Sequence, residues 1–160
     1  MSLRDMFRWL RRPAKAQPTT EPTDWSIVQA VDEKTGHAAV FRVRSSRPER
    51  PDIDSLSTAI VIKWPYQSTN PMPPQEVNQQ QLAFETALDP LSSESELVQV
   101  ATGMGLKEWI YYAKNRDDFM AELNQLLDGH PRYPIEIEFF DDPHWLIWAD
   151  LQASLEKRTL

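Results

Sequence analysis

A chain of 160 residues is long enough for one domain with its own hydrophobic core, without covalent or metal staples. It contains no cysteine, which excludes disulfides and thiolate metal sites, and its net charge of −7 argues against nucleic acid as a partner. His37, His130 and His144 are too far apart to form a ligand motif, and no apolar run is long enough to span a bilayer.

The first fifteen residues are basic: Arg4, Arg8, Arg11, Arg12 and Lys15 stand against Asp5 alone. On a short helix Leu3, Met6, Phe7 and Leu10 share a side, arginines cover much of the rest, and Trp9 flanks. Such a segment suits weak contact with an anionic membrane surface through residues 1–12, or with an acidic partner, or remains a loosely ordered arm. It lacks the apolar centre of a signal peptide. Residues 13–23 read as a linker, so 1–23 is expected to be a basic arm and flexible linker before a single α+β domain at 24–157.

Trp25, Ile27, Gln29 and Val31 alternate with their neighbours, as do Ala39, Phe41 and Val43, and a polar turn ending in Gly36 separates them. This pattern predicts a hairpin. Within Ala59 to Trp64, Ile60, Val61 and Ile62 are apolar without alternation, which suits a strand inside a sheet, and Lys63 and Trp64 end it. A helix is expected from Pro74 or Gln75 to Leu88, with Val77, Phe84, Ala87 and Leu88 on one face. Gln80 and Gln81 intrude on that face, and Leu82 points away.

Residues 97–140 then read as strand, glycine turn, strand, helix and strand. Val98, Val100 and Thr102 alternate with Gln99 and Ala101. Gly103-Met104-Gly105 permits a tight reversal. After it, Trp109 and Tyr111 take one face of a strand, while Leu106, Ile110 and Tyr112 take the other with Glu108. Asn115 and Asp118 predict a helix start, and Phe119, Met120, Leu123, Leu126 and Leu127 its apolar side. Ile135, Ile137 and Phe139 alternate with Glu136, Glu138 and Phe140. Asp142 is placed to cap a last helix with Pro143 in its first turn, and Trp145, Trp148, Ala149, Gln152 and Leu155 along one face.

From residue 58 this order is β-α-β-β-α-β plus a helix, a ferredoxin-like α+β core with an N-terminal β-hairpin and a C-terminal helix. Strands 58–64 and 106–112 are expected in the middle, and 97–102 and 135–140 as the outer pair. Both core helices then lie on one face. The hairpin, the last helix or a partner must cover the other.

The run Gly103-Met104-Gly105-Leu106-Lys107-Glu108-Trp109-Ile110-Tyr111-Tyr112 is followed by the helix 115–127, by Tyr133-Pro134-Ile135 and by Asp141-Asp142-Pro143-His144-Trp145. Together these resemble the bacterial domain of unknown function 695 family. More distantly, they are similar to the regulator of ribonuclease E activity B group. The first resemblance implies no activity. The second implies action by binding a protein, although this chain lacks the long acidic extension expected of such a regulator.

Three sets of residues are candidate sites. Glu108, Glu136, Glu138, Asp141 and Asp142 with His144 offer carboxylates for a hard cation or acid–base work, or else form a solvated strand face whose Asp142 caps a helix. Trp109, Tyr111, Trp145 and Trp148 suit an interface or a core. Arg4, Met6, Phe7, Arg8, Trp9, Arg11 and Arg12 are the candidate membrane or partner contacts. No nucleophile–base pair accompanies them, and no catalytic residue, metal or cofactor is expected. The leading expectation is a noncatalytic domain binding an unknown protein. A metal-dependent hydrolase on the acidic strand and a peripheral membrane protein are the alternatives. Placement is expected in the cytoplasm, at the inner membrane if the arm engages it.

Overall fold

The computed structural model describes residues 12–14 and 24–156. Its strands are β1 (Arg12–Ala14), β2 (Trp25–Val31), β3 (Ala38–Arg44), β4 (Thr58–Pro65), β5 (Ser95–Gly103), β6 (Leu106–Ala113) and β7 (Glu136–Asp141). Its helices are α1 (Gln75–Leu88), α2 (Arg116–Leu126) and α3 (Leu146–Glu156). The strands form a seven-stranded sheet in the order β1-β2-β3-β5-β6-β4-β7, and every neighbouring pair is antiparallel. The ferredoxin-like core is β4-α1-β5-β6-α2-β7, with β4 and β6 between β5 and β7.

The unbroken apolar run of β4 reflects burial on both faces. Ile60, Ile62 and Trp64 pack with Phe84 and Leu88 of α1, Trp109 of β6, and Phe119 and Leu123 of α2. Ala59 and Val61 belong to the opposite layer, with Phe41, Ile110, Tyr112, Trp145 and Leu151. Each large side chain buried this way contributes about 1.5–3 kcal/mol. α1 and α2 thus cover one face, the helix side, and α3 covers the other.

The hairpin does not cover a face. β3 pairs with β5 through Ala39↔Gly103 to Val43↔Gln99, so the hairpin widens the sheet and β5 becomes interior. Gly103 is what this close pairing requires. A Cβ there would lie 2.7 Å from both Cα and Cβ of Ala39. Met104 and Gly105 both have positive φ, +53° and +78°, which fits a two-residue hairpin turn.

Several local expectations are corrected. The register of β5 shifts between Leu97 and Gln99, so Val98 and Val100 fall in opposite layers and the simple alternation fails. Gln99 is buried in consequence. Arg12–Ala14, read as the end of the arm and the start of the linker, is a short strand on β2. The rest of the expected arm and linker, 1–11 and 15–23, lies outside the described residues.

The last helix starts at Leu146, three residues later than Pro143. Asp142 still caps it: Leu146 N donates to Oδ1 at 2.8 Å and Ile147 N to Oδ2 at 3.0 Å. Trp145 adopts φ +56°, outside helical geometry. That turn lays its indole on Tyr112, with ring centroids 4.0 Å apart and planes within 7°, and lets Nε1 donate to the Leu56 carbonyl at 2.8 Å. Burying the indole outweighs extending the helix. It also turns the helix so that Leu151 is buried and Ala149 exposed. At α2, Asn115 caps as expected, its Oδ1 accepting from Asp118 N at 2.8 Å.

Candidate functional site

Because α1 and α2 belong to the crossovers of the core, neither reaches across the hairpin. On β2 and β3 the helix-side positions are Trp25, Ile27, Gln29, Val40, Arg42 and Arg44, as the pairings Ile27↔Arg42 and Arg42↔Val100 place them. Ile27 is 49% exposed, and Gln29 and Arg42 are also exposed. The guanidinium groups of Arg42 and Arg44 lie over the Trp25 ring at 5.3 and 4.9 Å.

Between this strip and α1 runs a groove of about 280 Å³. Leu97, Trp109 and Tyr111 form its floor, Arg42 stands on the hairpin side, and Leu82, Glu85, Thr86 and Asp89 stand on the α1 side. Glu85 is fixed from below, where Trp109 Nε1 donates to its Oε1 at 2.9 Å and Lys107 Nζ lies 2.9 Å from the same oxygen. Tyr111 is buried beside Phe119, with ring centroids 5.5 Å apart. Its hydroxyl makes no hydrogen bond to a described residue. Burial, and then the Glu85 and Asp89 carboxylates, hold its phenol well above the ordinary tyrosine value, with Arg42 opposing. At neutral pH it is therefore a protonated donor at the groove floor.

The outer face of α1 continues this surface. Asn78, Gln79, Leu82, Ala83 and Thr86 are exposed and carry no charge, and Leu82 is 51% exposed. The exposed start of α2, by contrast, is Arg116, Asp117 and Asp118. Depletion of charge with retained apolar groups is the compositional mark of an interface centre.

The sets singled out in the sequence are dispersed. Trp109 and Tyr111 are in the helix-side layer, and Trp145 is in the opposite one with Trp148 beside it, ring centroids 6.3 Å apart. Trp109, Tyr111 and Trp145 are buried, and only Trp148 is partly exposed. Trp148 Nε1 donates to the Arg44 carbonyl, as does the Gln152 amide, tying α3 to the end of β3.

Glu108, Glu136 and Glu138 do share a sheet face, the one opposite α1 and α2. Lys63 stands between them: it pairs in register with both Glu108 and Glu136, and its Nζ lies 2.8 Å from Glu138 Oε1. Glu108 is buried, while Glu136 and Glu138 are exposed. Asp141 lies on the other face, opposite Thr58. Asp142 is buried, its carboxylate taken up by the α3 cap and by the Tyr112 hydroxyl at 2.6 Å. His144 is exposed in the loop before α3. Among the described residues, no group of three or more His, Asp or Glu side chains is placed to hold a metal ion. Nor is any described helix long and apolar enough to cross a membrane. Arg4, Met6, Phe7, Arg8, Trp9 and Arg11 lie outside the described residues, and Arg12 begins β1.

Ile27, Arg42 and Asp89 were not legible as site residues. The available signal was Leu82, off the apolar face of its helix, in a stretch from Val77 to Phe84 without a charge.

A family model described as a family of unknown function (DUF695) matches residues 23–151. No curated protein and no solved structure matches the chain.

Proposed function

Since the chain belongs to the DUF695 family of unknown function, its role has to be read from its own surface, and we propose a noncatalytic protein-binding domain that takes its partner along the groove between α1 and the hairpin. One observation carries this reading. An uncharged outer helix face, centred on Leu82, lies directly beside a stretch of sheet that no helix of the core covers. The groove combines an apolar floor with polar groups, which is how a binding site fixes orientation. Its polar groups are the Tyr111 hydroxyl, Arg42, Glu85, Thr86, Asp89 and Ser92. The regulatory role expected from the sequence is consistent with such a surface, since it calls for recognition and not for chemistry.

The test is capture from native lysate on the immobilised full chain, comparing wild type with Leu82→Asp and with Glu136→Lys on the opposite face. Proteins held by wild type and by Glu136→Lys are expected to be lost from Leu82→Asp. If Leu82→Asp retains the same set, the groove is not the binding surface.

A further inference from the structure

The helix side of the sheet has the shape of a step. α1 stands up from it, and beside α1 no described helix covers the hairpin. We propose that the partner seated on this step is a second copy of the chain, with α1 of each copy lying on the hairpin of the other. The inference rests on the reading of the groove as a protein-binding surface and names its occupant.

Two features lead to the same arrangement. The first is charge. The hairpin side of the groove presents Arg42 and the α1 side presents Asp89, with Glu85 below it. A two-fold axis running along the groove exchanges the two sides, so Arg42 of each copy meets Asp89 of the other. A two-fold axis across the groove would stack Arg42 on Arg42 and Asp89 on Asp89, which opposes association. Only the first operator pairs opposite charges, and it closes as an isologous dimer.

The second feature is apolar. Of the large apolar side chains exposed among the described residues, Ile27 is on the hairpin and Leu82 on α1. The same axis sets the hairpin that carries Ile27 over the helix that carries Leu82. It also lays the uncharged positions Asn78, Gln79, Leu82, Ala83 and Thr86 on the hairpin strands. Step shape and charge are thus satisfied by one rotation, which also puts the two exposed apolar residues on facing elements.

The experiment is sedimentation equilibrium on the full chain across the micromolar range, at fixed salt. Wild type is expected to be a reversible dimer. Leu82→Asp should weaken it at least about tenfold. Arg42→Glu and Asp89→Arg should each weaken it, and the double variant R42E/D89R should recover wild-type association to within a few-fold. That reciprocal rescue is something a fold defect cannot mimic. Ile27→Asp is the second apolar variant, should Leu82→Asp lose its cooperative urea transition. A dimer that ignores Leu82→Asp or Ile27→Asp, or a double variant without rescue, overturns the proposal. If wild type is a monomer throughout yet loses a captured protein on Leu82→Asp, the second copy is wrong and the groove reading stands. If it neither associates nor captures anything, both are wrong.

Discussion

Replacing Asp142 with alanine tests the account of how α3 is set on the sheet. The carboxylate is buried and accepts three hydrogen bonds: Tyr112 Oη at 2.6 Å, Leu146 N at 2.8 Å and Ile147 N at 3.0 Å. Loss of a helix cap costs about 0.5–2 kcal/mol. A buried phenol left without an acceptor adds about 1–3 kcal/mol. The sum should be about 3 kcal/mol. With a urea slope of about 2 kcal/mol/M, the unfolding midpoint should fall by about 1.5 M. Asp142→Asn keeps one carbonyl oxygen and should lose less. Tyr112→Phe removes the phenol from the other end, so the double variant should be less damaged than the sum of the single losses, with a coupling of about 1 kcal/mol. The measurement is a urea melt of wild type and the four variants by tryptophan fluorescence. A loss under about 0.5 kcal/mol for Asp142→Ala, within the range of a neutral surface change, would refute the reasoning.

Two further outcomes follow from the fold. Gly103→Ala should cost about 2 kcal/mol or more, because the new Cβ meets the backbone of β3 at 2.7–2.8 Å. Gly129→Ala, at φ +81° with nothing within 4 Å of the Cβ, should cost only about 1 kcal/mol of backbone strain. Equal losses in thermal melts of the two variants would show that β3 does not press on Gly103. Burial pushes Tyr66 up from 10.0 to about 12, and its hydroxyl donates to the Pro71 carbonyl at 2.5 Å. The folded state therefore holds this proton more tightly than the unfolded one. Its contribution is complete below pH 10 and is lost as pH rises through 12. Urea midpoints should fall over that window by less in Tyr66→Phe than in wild type, and parallel declines would count against it.

The parts of the fold that were legible are those set by local chemistry. Ile60–Ile62 reads as interior because no solvated strand is apolar on both faces. Asn115 and Asp118 mark their helix start, and the aromatic strand 106–112 separates Trp109 and Tyr111 from Ile110 and Tyr112, although which of the two faces meets the helices was not legible. What was not legible depends on partners distant in sequence. Alternation in β2 and β3 says that they pair with each other, but not that β3 then joins β5. Gly103 holds that information, since its missing side chain makes room for Ala39. The bulge in β5 and the left-handed Trp145 are both bought by tertiary burial, of Val98 and of the indole, which no window of neighbouring residues displays. Glu136 and Glu138 look unpaired in the sequence until β4 places Lys63 between them and Glu108.

The groove follows from the same topology that hid it. The two faces of the hairpin have opposite fates. Val28, Ala30, Ala39, Phe41 and Val43 are sealed in the layer that holds α3, while Ile27, Gln29 and Arg42 on the same strands stay exposed. A strand pair added only to widen a sheet needs nothing apolar on its solvated face, and an exposed isoleucine by itself requires no explanation. Here Ile27 is accompanied by Leu82, across a floor of Leu97, Trp109 and Tyr111, on a helix whose residues 77–84 carry no charge in an acidic chain. Gln79, Leu82 and Ala83 are as good helix formers as glutamate or lysine, so helix propensity does not account for the lack of charge there. In the proposed dimer that helix face lies against the hairpin of the second copy.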